Sequence, residues 1–267
     1  MNGMKNYNKS DFGICITTFS KRFSYVENLV NSIRDQTDLD IFININGDYK
    51  KNINDEYRNK ILNLCLKYKN IYPRFYNIFR SYGYMCNDYI CNGGKLYNII
   101  TNDDIVIKNN FLNDFLNFID SLNLSNTLIR VNNSFSTFLI SRELARKNKF
   151  YDERYIGLGC EDSDFYHRLL RNNFDSKLVS FETTLYLNNW AETWNTLIDQ
   201  GATTIAKYHN FNYVLMYELN KKSIDEYVNP RPNEEFFFNN YDTFWNYTTS
   251  DTDYLEGLGS FEINSKK

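Results

Sequence analysis

Several things are scarce or missing in this chain. No run of roughly 18 apolar residues occurs, so no membrane-spanning helix is expected. Lysine and arginine form no block, and the formal net charge is -3 with a pI of about 5.6, so nothing recommends nucleic acid as a partner. The opening MNGMKNYNKS is polar and lacks the apolar stretch of a secretory leader. Five cysteines (Cys15, Cys65, Cys86, Cys91 and Cys160) are an odd set without a Cys-x-x-Cys pair. Their spacing argues against a disulfide framework or a zinc site, and the expected setting is reducing and cytoplasmic. Histidine is limited to His167 and His209, and no internal repeat is visible.

Aromatic residues are abundant instead. They make up 17% of a 42% hydrophobic chain, in 22 Tyr and 21 Phe among 267 residues. That supplies ample apolar surface for one large domain, alone or with an appendage.

The apolar pattern alternates between two periods. Phe12 to Phe19 and Asp40 to Asn46 read as buried strands. Helical spacing follows each, through Phe23, Val26, Leu29, Val30 and Ile33, then through Tyr57, Ile61, Leu62, Leu64 and Leu66. A third strand is expected near Phe75 to Phe79, a short helix over Met85 to Cys91, and a fourth strand over Leu96 to Ile100. Further along, helices are expected over Asn110 to Leu122, Ser141 to Lys147 (with Ser141 as N-cap) and Glu161 to Arg171. Strands are expected over Thr127 to Val131, Ser136 to Ile140 and Lys177 to Phe181. From about residue 220 the chain turns polar and aromatic, punctuated by Asn229-Pro230-Arg231-Pro232.

Strand and helix in alternation predict an α/β fold, with a mainly parallel sheet flanked by helices. Such sheets bind ligands at the carboxyl ends of their strands. Thr17-Thr18, Asn46-Gly47-Asp48 and Asn102-Asp103-Asp104 all fall there, and at one edge they would form one site.

Two acidic groups stand out. Asn102-Asp103-Asp104 at a strand end offers oxygen ligands for Mg2+ or Mn2+, although Asn-Asp-Asp is also a common turn sequence. Glu161, Asp162 and Asp164 crowd a helix start behind Gly157-Leu158-Gly159. Acids at a helix N-terminus complement its dipole. Three of them exceed what capping needs, and one could take a proton from an incoming hydroxyl.

Four segments in order carry a resemblance. FGICITTFSKR, ININGD, IITNDDIVI and FSTFLISRELARKNKFYDERYIGLGCEDSDFYHRLLRNN resemble the GT-A fold glycosyltransferases, chiefly family 2 and galactosyltransferase-like enzymes. They span about residues 12 to 215. The resemblance implies transfer of a sugar, with UDP as the expected carrier, from a nucleotide-diphosphate donor to a hydroxyl of a glycan or glycoconjugate. It implies Asp104 as a ligand of a divalent metal, Mn2+ or Mg2+, on the "DXD" strand, with Asn102 and Asp103 near the ribose and phosphates. Asp48 would lie near the base or ribose, and Thr17 and Thr18 in the loop that meets the base. Asp162 matches the general base and Glu161 the acid that orients the acceptor. His209 is the expected third metal ligand, in preference to His167. One base opposite the leaving group implies inversion at the anomeric carbon.

The implied organisation is a GT-A domain over 1–220, with a nucleotide-sugar half at about 10–108 and an acceptor half at about 109–220, then an extension over 221–267. Surface polysaccharide or glycoprotein glycan synthesis is the implied context. Peripheral membrane association and oligomeric state stay open. The chain departs from the pattern at Thr17 (usually Pro), at Ser81-Tyr82-Gly83 (usually Asn-x-Gly), and at Asn133-Ser134-Phe135 (often Gly-Gly). A bulky Phe135 is expected to narrow the donor pocket or redirect the acceptor. Two other classes remain: a catalytically silent nucleotide-sugar or glycan-binding homologue, and a nucleotidyltransferase. The latter ranks last, because Ser20-Lys21-Arg22 lacks the glycines of a phosphate-cradling loop.

Overall fold

A computed structural model describes residues 6–19, 22–46, 53–77, 80–93, 95–153, 155, 161–171 and 177–188. After a 3-10 turn at Lys9–Asp11 come β1 (Phe12–Phe19), α1 (Phe23–Arg34), β2 (Asp40–Asn46), α2 (Asp55–Lys67), β3 (Ile71–Phe75) and α3 (Tyr82–Asp88). A π-helical turn at Tyr89–Gly93 leads into β4 (Tyr97–Asn102), β5 (Ile105–Ile107), α4 (Phe111–Ile119), β6 (Thr127–Val131) and β7 (Ser134–Ser141). Then follow α5 (Arg142–Lys147), α6 (Glu161–Arg171), β8 (Lys177–Phe181) and β9 (Tyr186–Asn188).

Seven strands form one sheet in the order β3-β2-β1-β4-β7-β6-β8. Neighbours run parallel, except that β7 is antiparallel to both β4 and β6. The ends of β4 and β6 therefore lie at the same edge, as does the start of β7. The expected mainly parallel α/β architecture is what is observed.

The two faces of the sheet are filled by alternate residues of each strand, as the pleat requires. Phe12, Ile14 and Ile16 of β1 and Ile99 of β4 pack with α1, α2 and α4. Cys15 of β1, Ile100 of β4 and Phe138 and Ile140 of β7 pack with α3, α5 and α6. The result is three layers with a core on each side of the sheet.

Several expectations shift. β3 spans Ile71–Phe75 rather than lying near Phe75 to Phe79. Pro73 sits inside it, which is tolerated because β3 is the edge strand. α3 begins at Tyr82, capped by Ser81, whose hydroxyl accepts the Tyr84 N–H at 3.1 Å. Gly83 falls inside that helix because the helix rides close on the next layer: a Cβ there would lie 3.1 Å from the Tyr151 Cβ and 3.3 Å from the Asp152 carbonyl oxygen. β5 and β9 form a separate antiparallel ribbon. At three residues each, they are too short to display a period. Ser141 caps α5 as expected, accepting the Leu144 N–H at 3.0 Å.

The tail beyond residue 188, with the expected boundary near residue 220, lies outside the described residues.

Candidate functional site

The edge at the ends of β1, β2 and β4 gathers the first cluster. Thr17 pairs in register with Asn102, and Phe19 with Asn46. The Thr17 hydroxyl lies 3.4 Å from the Asn102 side-chain oxygen and 3.4 Å from the Thr101 carbonyl. Asn46 clasps the start of the loop before α3: its amide donates to the Arg80 carbonyl at 2.6 Å and its oxygen accepts the Arg80 N–H at 2.7 Å. Asp48 lies outside the described residues.

Strand alternation separates Asn102 from Asp103. Asn102 continues the face of Ile100, toward α3 and α6, while Asp103 continues the face of Ile99, toward α1. There the Asp103 carboxylate accepts the Thr18 hydroxyl at 2.5 Å and the Arg22 Nε–H at 2.8 Å. Arg22 is buried, with its guanidinium over the rings of Phe19 (5.1 Å) and Tyr25 (4.6 Å). One of its terminal nitrogens lies 3.8 Å from a carboxylate oxygen of Asp104, itself buried. Burial pushes the Asp103 carboxyl up to about 6, a rise restrained by Arg22 and the Thr18 hydrogen bond and aided by Asp104. In the sequence Ser20-Lys21-Arg22 is marked only by its lack of the glycines of a phosphate-cradling loop, which does not single out Arg22. Its position just before α1 is the signal that could have found it.

The second cluster is the first turn of α6. Glu161 and Asp164 are buried, whereas Asp162 is half-exposed. Asp164 accepts the Arg168 Nε–H at 2.8 Å, and neither side chain has any exposure. Arg168 also donates to the Asn148 carbonyl, and the Asn148 amide donates to the Phe165 carbonyl at 2.9 Å. Asp164 and Arg168 thus fasten α6 to the end of α5. Asp162 accepts the Ser163 N–H at 2.7 Å, within its own turn.

Asn87 of α3, also absent from the sequence reading, pins the segment that leads to α6. Its amide donates to the Tyr151 carbonyl at 2.9 Å and to Glu153 Oε1 at 2.8 Å, and its oxygen accepts the Tyr151 N–H at 2.9 Å. The Tyr151 ring stacks on Phe165 of α6 with centroids 4.5 Å apart.

The donors around Asn102 and Asp104 are hard oxygens, which fits Mg2+ or Mn2+ better than a softer metal. Among the described residues no group of three or more His, Cys, Asp or Glu converges to hold a metal. An ion here would take further oxygens from its phosphate ligand. His209 and the Gly157-Leu158-Gly159 loop lie outside the described residues, and His167 is exposed on α6 beside Tyr166.

No protein-family model matches the chain, and no curated protein matches it in sequence. Solved structures do match in shape. The mannosyltransferase PcManGT from Pyrobaculum calidifontis, in complex with GDP-Man and Mn2+, superposes with a TM-score of 0.58 over 94% of this chain and 75% of that one, at 8% identity. TarS from S. aureus gives 0.52 over 95% of this chain and 53% of that one, at 12% identity. TarS 1-349 in complex with UDP-GlcNAc gives 0.50 over 65% and 57%, at 15% identity. The chain therefore spans little more than half the length of the TarS chains. At these identities the likeness carries architecture alone, and that architecture is the GT-A fold of glycosyltransferases.

Proposed function

We propose that this chain is a glycosyltransferase that moves a sugar from a nucleotide-diphosphate donor to a hydroxyl of a glycan or glycoconjugate. The observation that carries the reading is the sorting of acids within the fold. Of the three at the start of α6, Asp162 alone is half-exposed, and α6 covers the sheet face toward which Thr17 and Asn102 project. A solvent-reachable carboxylate on the helix that covers that face is what a general base for an incoming hydroxyl requires.

In the proposed mechanism Asp162 removes the acceptor proton as the oxygen attacks the anomeric carbon, and the nucleoside diphosphate leaves from the opposite side. The product has inverted configuration. Glu161 orients the acceptor from its buried position. Thr17, Thr18 and Asp48 line the base and ribose, with UDP the expected carrier. Asp103, expected near the ribose, has its carboxylate engaged by Thr18 and Arg22. We assign it the task of holding the strand end. A divalent ion, when bound, would supply positive charge for the departing diphosphate, and Asp104 with His209 would hold it, with Asn102 near the ribose and phosphates. The GT-A unit would cover 1–220 and an extension 221–267, in a cytoplasmic protein of polysaccharide or glycan synthesis. No helix among the described residues is long and apolar enough to cross a membrane.

One observation favours a second reading, a silent binder of nucleotide sugars. The Arg22 guanidinium lies 3.8 Å from Asp104 and competes with a cation for that carboxylate. Thermal shift with nucleoside diphosphates, with and without Mn2+, followed by a screen of nucleotide-sugar donors, separates the two. Mn2+-dependent stabilisation with acceptor-dependent release of diphosphate supports the transferase. Stabilisation without turnover of any donor supports the binder.

A further inference from the structure

β6 runs parallel to β4 and ends at Val131, so its last residues lie at the same sheet edge as Asn102. Arg130 stands one residue from that end. In register it faces Phe138, which belongs to the core beneath α6. Its guanidinium sits between two rings, 5.3 Å from the centroid of Phe135 and 5.3 Å from that of Tyr166 on α6. One terminal nitrogen donates to the Asn133 side-chain oxygen at 3.1 Å. The Nε–H is buried and has no hydrogen-bond partner among the described residues.

Among the described residues Arg130 also has no counter-ion. Arg22 is paired with Asp103, Arg74 with Asp88 and Arg168 with Asp164, whereas Arg130 forms no ion pair with any described carboxylate. Glu182, close by, directs its Oε1 to the Asn133 amide at 2.8 Å and the Ser180 hydroxyl at 2.6 Å instead. The guanidinium is therefore held in place by aromatic faces while most of its charge and donors stay uncommitted.

Its location ties it to the proposed chemistry. Tyr166 follows Asp162 by four residues on α6, and residues so spaced share a helix face with Cβ atoms roughly 6 Å apart. Arg130 lies against that same face.

We propose that Arg130 is a subsite for an anionic group, phosphate or carboxylate, carried by the acceptor. The enzyme then prefers anionic acceptors to neutral ones of the same size. A planar guanidinium engages either oxyanion through paired hydrogen bonds. Because the rings already fix its orientation, little further ordering is needed on binding. Phe135 serves as one wall of this clamp, which accounts for a bulky residue there. The proposal rests on the reading of Asp162 as the acceptor-side base.

The test uses the full chain with its nucleotide site saturated by UDP. Glucose, glucuronate and glucose 6-phosphate are titrated at constant ionic strength by calorimetry, while the Arg130 Nε–H resonance is followed by NMR. Wild-type protein should bind at least one of the two anionic sugars tenfold or more tighter than glucose, and that sugar should shift the Arg130 resonance. Which one binds tighter tells phosphate from carboxylate. Arg130→Gln should abolish the preference, Arg130→Lys should keep part of it, and UDP affinity should stay within twofold in both. Equal affinity for all three sugars, a preference that survives Arg130→Gln, or an unmoved Arg130 resonance would overturn the proposal. The last needs no variant, so the test holds even where Arg130→Gln fails to fold. Asp162→Asn should keep the anion preference, so a wrong base assignment shows in turnover alone.

Discussion

The acids at the end of β4 and those at the start of α6 are built on one plan with different wiring. In each cluster one carboxylate is buried and taken by an arginine, Asp103 by Arg22 and Asp164 by Arg168. In each we assign a neighbour, Asp104 or Asp162, to the proposed chemistry. The pairs differ in reach and in balance. Asp164 and Arg168 are four residues apart on one helix. Asp103 and Arg22 are 81 residues apart, and Arg22 also faces Asp104, so one cation serves two carboxylates. The helix cluster is thus a local buried ion pair beside the half-exposed Asp162. The strand-end cluster instead sets one guanidinium against two buried carboxylates contributed by a distant segment.

That contrast can be broken by removing each arginine. Arg168→Ala removes the guanidinium that pairs with buried Asp164 and should cost about 3–5 kcal/mol in urea unfolding, with little dependence on nucleotide. Arg22→Ala should cost a similar amount, about 3–5 kcal/mol, at pH 8. Its cost should fall near pH 5, where Asp103 can take a proton.

A pH profile sharpens the point. Asp103 is raised to about 6, so the folded chain holds that proton more tightly than the unfolded one. Its contribution to stability is complete below the unfolded value of about 4 and is lost as pH rises through about 6. Wild-type protein should lose on the order of 2 kcal/mol across that window relative to Asp103→Asn, read from parallel denaturation curves. A flat difference would mean that Arg22 already compensates both acids. As a control far from either cluster, exposed Leu66→Ala on α2 should change stability by less than about 0.5 kcal/mol.

Much of this arrangement can be read from sequence wherever the physics is local. β1, β2, β6, β8 and α6 have the boundaries their apolar periods predict. Thr17 meets Asn102 because parallel strands place their carboxyl ends together. β3 lies earlier than its apolar residues suggest, since a strand through Pro73 is tolerated only at a sheet edge, which the sequence does not reveal. The Asp103–Arg22 pair was invisible, since nothing in either segment names a partner 81 residues away. The Asp164–Arg168 pair lay within reach through its i, i+4 spacing. Spacing alone does not separate Asp164, which pairs with Arg168, from the two acids that precede it. The uncommitted Arg130 needed the layer packing, because Phe135 and Tyr166 come from different elements.

The central claim is that Asp162, rather than its buried neighbours, does the chemistry. The direct measurement is acceptor-dependent release of nucleoside diphosphate by wild-type protein and Asp162→Asn, with UDP affinity measured alongside. The account predicts a fall in turnover of about 10²- to 10⁴-fold with UDP affinity unchanged. Turnover at the wild-type rate in Asp162→Asn would contradict it.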